Sequence, residues 1–167
     1  MVPTKELKKL RAYHGDAELK KEMVREVLQH QKQDQILKGT YGTEEDGKWR
    51  GCAVGCSIHS YNLRKGANIP TNNHKAFETE LGILEALPRL EDMLFENMPK
   101  DKAMLFPAEF LKSIPVGADL SLIPAKFIVA VLEDVVTLKY VKDDAEVVKA
   151  VLGVAKLWQR ISEGKSV

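Results

Sequence analysis

Apolar residues recur at helical spacing along almost the whole chain, and this pattern limits the fold more than any other feature. It is clearest near the C-terminus, where one helical face carries Val147, Val151, Val154, Trp158 and Ile161. A second apolar helical segment comes directly before it. Because the connection between the two segments is short, they predict a long antiparallel helical hairpin.

Start and stop signals divide the rest of the chain into further helices. Asp16 is a typical N-cap, and the apolar positions after it predict a helix over residues 16–37 that stops at Gly39. Pro88 marks the first turn of another helix, over residues 84–98. Other helices are predicted over residues 4–15, 52–61, 72–81, 107–115 and 127–140. The predicted fold class is therefore all-α, a multi-helix bundle.

Turn-forming residues interrupt the helical pattern between residues 39 and 51. The pairs Tyr41-Gly42 and Asp46-Gly47 predict turns, so a minor β-hairpin is expected around residues 41–50. No internal repeat and no long linker divides the 167 residues. This length suits one compact domain, and we expect residues 1–167 to form a single helical domain.

Composition and charge narrow the classes of partner. The chain has 25 basic and 24 acidic residues, a formal net charge of +1, which argues against a nucleic-acid partner. Charged residues interrupt the most apolar window, residues 120–138, so no membrane-spanning segment is expected. The chain starts with charged residues instead of a secretory signal, and it has only two cysteines. These features predict a cytoplasmic protein with free thiols.

Helix 16–37 contains a polar pair on its predicted apolar face. Extending the helical phase at about 100° per residue puts His30 and Asp34 in the middle of the stripe formed by Leu19, Met23 and Val27. One interpretation is a core histidine satisfied by hydrogen bonds between helices. The alternative is a catalytic base, His30, that the Asp34 carboxylate orients.

The segment after the turn region brings two thiols and an imidazole together. On a helix, Cys52, Cys56 and His59 share one face, and Gly51 and Gly55 beside them allow another backbone or a flat ligand to approach closely. Tight packing of two inert buried thiols is one interpretation. The second is a zinc site completed by a distant histidine. The third is a thiol nucleophile paired with a catalytic base, and the fourth is a redox pair, for which one helical turn gives poor geometry.

Several of these residues serve as candidates in more than one interpretation. Cys52, His30 and Asp34 form the predicted nucleophile, base and orienting acid. In the zinc alternative, His59 and His74 are metal ligands, although the spacing of His74 and Glu78 also fits an exposed surface pair. The aromatic residues Tyr41 and Trp49 flank the glycine-rich turn. Together with Cys56, they are candidates to line a ligand-binding pocket.

Several short stretches resemble a family of uncharacterised bacterial and phage-encoded proteins. They are His30-x3-Asp34, Gly39-Thr40-Tyr41-Gly42, Gly51-Cys52-Ala53-Val54-Gly55-Cys56, Glu78-x-Glu80-Leu81-Gly82-Ile83, Leu87-x-x-Leu90-x-Asp92-x-x-Phe95-Glu96-x-x-Pro99 and Ser113-Ile114-Pro115-Val116-Gly117. The resemblance covers about residues 27–117, and it implies no activity, cofactor or partner.

The sequence favours a binding or regulatory module over an enzyme. Phosphate loops, dinucleotide-binding glycine motifs, His-Glu-x-x-His and the nucleophile elbow are all absent. The alternative is a small thiol- or metal-dependent enzyme that uses the Cys-His-Asp cluster. Cofactors stay unassigned, and a small ligand and a homodimer are both compatible with exposed faces of a helical bundle.

Overall fold

The computed structural model describes residues 10–165, and α-helices dominate them. The described residues contain one sheet, a two-stranded antiparallel hairpin. The predicted all-α fold with a minor β-hairpin is therefore confirmed. Residue contacts group the chain into two compact units, Met1–Asp119 (unit 1) and Leu120–Val167 (unit 2), where the sequence predicted one domain.

The described part of unit 1 contains six α-helices and the small hairpin. A 3₁₀ turn, Ala12–Gly15, comes first. Helix α1 packs against α2 and α6, and α2 packs against α4. The helices are α1 (Ala17–Lys32), α2 (Ala53–Lys65), α3 (Lys75–Leu81), α4 (Ala86–Asn97), α5 (Lys100–Ala103) and α6 (Phe106–Ser113). Half of the predicted helix 4–15, residues 4–9, lies outside the described residues, and in the other half only the 3₁₀ turn is helical.

Helix α1 starts where the sequence predicted and ends earlier. The Asp16 side chain accepts hydrogen bonds from the backbone N–H groups of Glu18 and Leu19, which confirms Asp16 as the N-cap. The helix ends at Lys32, five residues before the predicted end. Asp34 has a φ of 54°, in the left-handed region, and the chain turns out of the helix there.

The hairpin pairs β1 (Thr43–Glu45) with β2 (Lys48–Arg50). Its register places Thr43 opposite Arg50 and Glu45 opposite Lys48. Asp46 and Gly47 have φ values of 53° and 69°. Positive φ at both central residues matches the twist of an antiparallel pair, and Asp-Gly is a favoured sequence for such a turn.

The core of unit 1 is formed by large side chains from all of its longer helices. Tyr13 is fully buried, and its hydroxyl donates a hydrogen bond to the Leu111 carbonyl at 2.7 Å. Other fully buried side chains include Met23, Val27, Phe77, Ile83 and Phe95. Gly82, with a φ of 63°, ends α3 as predicted.

Unit 2 is the predicted C-terminal helical hairpin, formed by α7 (Ile123–Val135) and α8 (Ala145–Ser162). Asp144 is the N-cap of α8, and its side chain accepts hydrogen bonds from the backbone N–H groups of Glu146 and Val147. Among the helices that the structure describes, none is both long and apolar enough to cross a bilayer.

Candidate functional site

His30 lies in the core, as its position on α1 predicted. The residue is 7% exposed, and both of its ring nitrogens are hydrogen-bonded: Nδ1 to Gln35 Oε1 and Nε2 to Ser60 Oγ, each at 2.7 Å. Because the Gln35 oxygen only accepts, Nδ1 carries the proton and Nε2 accepts from the Ser60 hydroxyl. Burial lowers the pKa of His30, which favours the neutral ring. His30 is therefore a core histidine that links α1 to α2.

Asp34 is not the partner of His30, and the prediction that it faces the core is wrong. Its side chain is 82% exposed, and its carboxylate lies 3.6 Å from the Arg50 guanidinium. The prediction extended the helical phase beyond Lys32, where α1 has already ended. An acid in this position cannot orient the His30 ring, so the proposed base and acid pair does not form.

Trp49 and His59 stack on each other beside His30. Their rings are parallel, with centroids 3.9 Å apart, and the His30 ring is tilted at 5.4 Å from Trp49. Burial and the neighbouring His30 lower the pKa of His59. These three rings form an aromatic cluster between α1, α2 and β2. Trp49 and His59 are both engaged in ring stacking there.

The two cysteines are free and buried. Cys52 is the N-cap of α2, and its Sγ accepts from the Gly55 N–H at 3.4 Å. The Cys56 thiol donates to the Gly51 carbonyl at 3.3 Å. Burial raises the pKa of Cys52 to about 12 and also raises the pKa of Cys56. A raised pKa makes the thiolate, which is the nucleophilic form, scarce at neutral pH and so disfavours a nucleophilic role.

The close backbone approach predicted at the glycines is present at Gly55. A Cβ at this position would lie 1.9 Å from the Tyr41 carbonyl oxygen. The Cys52 N–H also donates to the Thr40 carbonyl at 2.7 Å, which fixes the same loop against the start of α2. The absence of a side chain at Gly55 therefore allows Tyr41 and Cys52 to lie on the wall of one pocket.

This pocket, the Cys52 pocket, has a volume of about 320 Å³ and lies between the Tyr41 loop and α4. The Sγ of Cys52 and a carboxylate oxygen each from Asp92 and Glu96 all lie within 4.8 Å of one another. Glu96 also accepts from the Gly39 N–H with both oxygens at 3.0 Å. One sulfur and two carboxylates therefore converge on a single small volume.

Asp92 is held in place by two neighbours. Its Oδ2 accepts from the Tyr41 hydroxyl at 2.6 Å and lies 3.3 Å from His74 Nε2. The hydrogen bond to Asp92 raises the pKa of Tyr41 to about 12. The His74 side chain is 8% exposed and edge-on to the Tyr41 ring, so the prediction of an exposed pair with Glu78 is wrong. His74, directly before α3, is covered by the Tyr41 ring and Asp92.

Glu91, next to Asp92 on α4, is the least expected polar residue in unit 1. It is fully buried, and within the described chain neither carboxyl oxygen has a hydrogen-bond partner. Burial, together with the neighbouring Asp92, raises the pKa of Glu91 well above its usual range. Burial therefore favours the protonated carboxyl over the carboxylate in the folded protein.

The structure brings together three of the eight predicted site residues, Tyr41, Cys52 and His74, around acids of α4. Sequence reasoning missed Asp92 and Glu96 as site residues, although their spacing of four places two acids on one helical face. The chain was compared with protein-family models, curated proteins and solved structures, and none of them matched it.

Proposed function

We propose that this protein is a binding module that holds a divalent cation of the zinc class in the Cys52 pocket. The observation that carries the proposal is the convergence of Cys52, Asp92 and Glu96, whose ligand atoms lie within 4.8 Å of one another. In a tetrahedral zinc site, neighbouring sulfur and oxygen ligands are roughly 3.5 Å apart. Small side-chain rotations would bring these atoms to that spacing.

The donor set favours zinc over calcium or magnesium. Hard cations take oxygen ligands almost exclusively, whereas a thiolate selects softer ions. Three protein ligands leave a fourth position for water or a small ligand. Because no further His, Cys, Asp or Glu of the described residues joins this group, the open position belongs to the proposed site.

The contacts around Asp92 support a binding role. Tyr41 and His74 fix its carboxylate before any ion arrives. Ligand carboxylates in metal sites are commonly oriented by hydrogen bonds of this kind, and the loss of one such partner weakens metal affinity roughly 10- to 100-fold. His74 thus acts in this proposal on the carboxylate and not as a ligand, which differs from its predicted role.

A thiol-dependent enzyme is the weaker alternative. Both ring nitrogens of His30 are used by Gln35 and Ser60, so the predicted base, His30, is not directed at a thiol. The raised pKa of Cys52 opposes a free thiolate, whereas a bound metal ion removes the thiol proton outright. The same buried sulfur is therefore better suited to metal binding than to nucleophilic attack.

Titration with Zn²⁺ tests the proposal. Protein purified without chelator is expected to bind one Zn²⁺ per chain, measured by isothermal titration calorimetry. Cys52→Ala should lower the affinity at least about 100-fold, because it removes the only sulfur ligand. Cys56→Ala, a matched change at a thiol that bonds to Gly51, should keep the wild-type affinity. The proposal fails if Zn²⁺ does not bind, or if both alanine variants bind equally well.

The affinity for Zn²⁺ should rise with pH. Burial holds the pKa of the Cys52 thiol at about 12 in the metal-free protein, so zinc must displace one proton from sulfur. Release of one proton per ion makes the apparent association constant increase about tenfold per pH unit. Calorimetry between pH 6 and pH 8 measures this slope. An affinity that does not depend on pH would show that Cys52 is not a ligand.

Two further expectations belong to the same proposal. A cytoplasmic location agrees with two reduced cysteines, since buried free thiols persist in a reducing compartment. Kinship with the uncharacterised bacterial and phage-encoded family agrees with the positions of the motifs, because Tyr41, Cys52, Asp92 and Glu96 all fall within the stretches that resemble it.

A further inference from the structure

Unit 1 contains a second pocket, which the proposed zinc site does not use. This pocket, the Arg50 pocket, has a volume of about 360 Å³ and shares no residue with the Cys52 pocket. A cavity of this size falls in the usual range for small-molecule sites. Among its lining side chains, Lys38, Arg50 and Lys100 are cationic, and Asp34 is acidic. The pocket therefore concentrates positive charge in a chain whose formal net charge is only +1.

Arg50 is held in place by hydrogen bonds to the segment that follows α1. Its Nε donates to the Asp34 backbone carbonyl at 3.2 Å. The next residue, Gly51, donates its N–H to the Gln35 carbonyl at 2.9 Å and accepts from the Leu37 N–H at 2.8 Å. These bonds orient the guanidinium before any ligand arrives. The terminal N–H groups of an arginine oriented in this way can bind two oxygens of one carboxylate or phosphate group.

The positive charge of the pocket is only weakly compensated. The Asp34 carboxylate lies 3.6 Å from a terminal nitrogen of Arg50, but its side chain is 82% exposed, and such an exposed pair contributes little. Lys38 Nζ donates to the Met98 carbonyl, which carries no net charge. Lys100 is exposed, and its ammonium group has no ion-pair partner in the described part of the chain. An anion in the pocket would therefore meet cations that remain available to it.

The rest of the pocket lining is apolar. Ile36 is 4% exposed, Leu37 is 37% exposed, and Met104 is half-buried. A surface of this kind favours contact with the organic part of a ligand, because apolar area is then removed from water. A few charged groups beside apolar side chains are typical of sites that bind amphipathic small molecules.

We propose that the Arg50 pocket binds a phosphate monoester of a small organic molecule. Arg50 and the two lysines contact the phosphate oxygens, while the organic group packs against Leu37 and Met104. A phosphate monoester carries a charge of about −1.5 to −2 at pH 7, which suits three cations better than the single charge of a carboxylate. This site is independent of the zinc proposal, because the two pockets share no residue.

Titration of the full chain with phenyl phosphate, followed by amide NMR spectra, tests the proposal. We expect saturable shifts for residues 34–38, 50 and 100–104, with a dissociation constant of about 1 mM or lower. Inorganic phosphate lacks an apolar group and benzoate carries only one charge, so each should bind at least about 5-fold more weakly. The proposal fails if no saturable shifts occur at these residues, or if either of the other two anions binds as tightly as phenyl phosphate.

Two pairs of matched variants locate the site. Lys100→Ala should weaken phenyl phosphate binding at least about 5-fold. Lys102→Ala makes the same change at an exposed residue of α5 that does not line the pocket, and it should keep the wild-type affinity. Asp34→Asn should strengthen binding at least about 3-fold, because it removes the carboxylate that competes for Arg50. Asp46→Asn, at an exposed hairpin residue outside the pocket, should have no effect.

The variants are chosen so that they keep the fold. Lys100 is exposed, and both Asp34 and Asp46 have positive φ, which asparagine tolerates. Equal affinities within either pair would overturn the proposal. Cys52→Ala, which removes the sulfur of the proposed zinc site, should bind phenyl phosphate as wild type does. A loss of affinity in that variant would place the ligand in the Cys52 pocket and would overturn the proposal as well.

Discussion

Gly55→Ala is expected to destabilise unit 1 by at least about 3 kcal/mol. The added Cβ would lie 1.9 Å from the Tyr41 carbonyl oxygen and 2.8 Å from its carbonyl carbon. Both atoms belong to the backbone, so rotation of a side chain cannot relieve the clash. The whole loop must move away from α2. The Cys52 N–H bond to Thr40 fixes the same loop and would be strained by that movement. Urea unfolding at neutral pH measures the loss.

Gly153→Ala is the matched control. Gly153 lies within α8, and a Cβ there meets no atom within 4 Å. Alanine is favoured over glycine inside a helix by about 1 kcal/mol, so this variant should be as stable as wild type or slightly more stable. If Gly55→Ala also proves neutral, the Tyr41 loop does not rest on α2 as described.

Glu91→Met is expected to stabilise the folded protein most strongly at alkaline pH. Burial raises the pKa of Glu91 in the folded protein. The contribution of this residue to the free energy of unfolding is therefore complete below the unfolded-state pKa of about 4.3, and it is lost as the pH rises towards the folded-state pKa. Across that window the wild type should lose up to about 1.4 kcal/mol per pH unit from this residue. Methionine has a similar volume and no proton to lose.

The difference in unfolding free energy between Glu91→Met and wild type should therefore grow from pH 4 to pH 8, and we expect it to exceed about 2 kcal/mol at pH 8. Glu109→Met makes the same replacement on α6, at a side chain that is 69% exposed, and should leave the pH dependence of the wild type unchanged. Parallel stability curves for wild type and Glu91→Met would mean that the carboxyl is ionised and solvated in the folded state.

The helices and the hairpin were predictable because local signals determine them. The caps at Asp16 and Gly82 and the Asp46-Gly47 turn act within a few residues of themselves. The end of α1 was not predictable in this way. Residues 33–37 contain no glycine or proline that would signal a helix end, and in the fold Ile36 pairs with Gly51, a contact between two separate segments of the chain.

The candidate site was only partly predictable for the same reason. His30 was placed correctly because it lies within α1, and Asp34 was placed wrongly because it lies beyond the helix end. Asp92 and Glu96 look like an ordinary solvated pair until the fold brings Cys52 beside them. Glu91, by contrast, shares a helical face with Pro88 and Phe95, so the phase argument applied to α1 would have identified it as buried.

The contact between Glu96 and the Gly39 N–H joins positions that are 57 residues apart. This hydrogen bond therefore closes a long segment of the chain on itself. An ion bound by both Cys52 and Glu96 would hold a similar segment closed. Closing a segment of this length costs only a few kcal/mol of chain entropy. The folded protein is already closed in this way before a ligand binds. A ligand that binds only the closed form is therefore expected to raise the melting temperature as its concentration increases, because opening the segment releases the ligand.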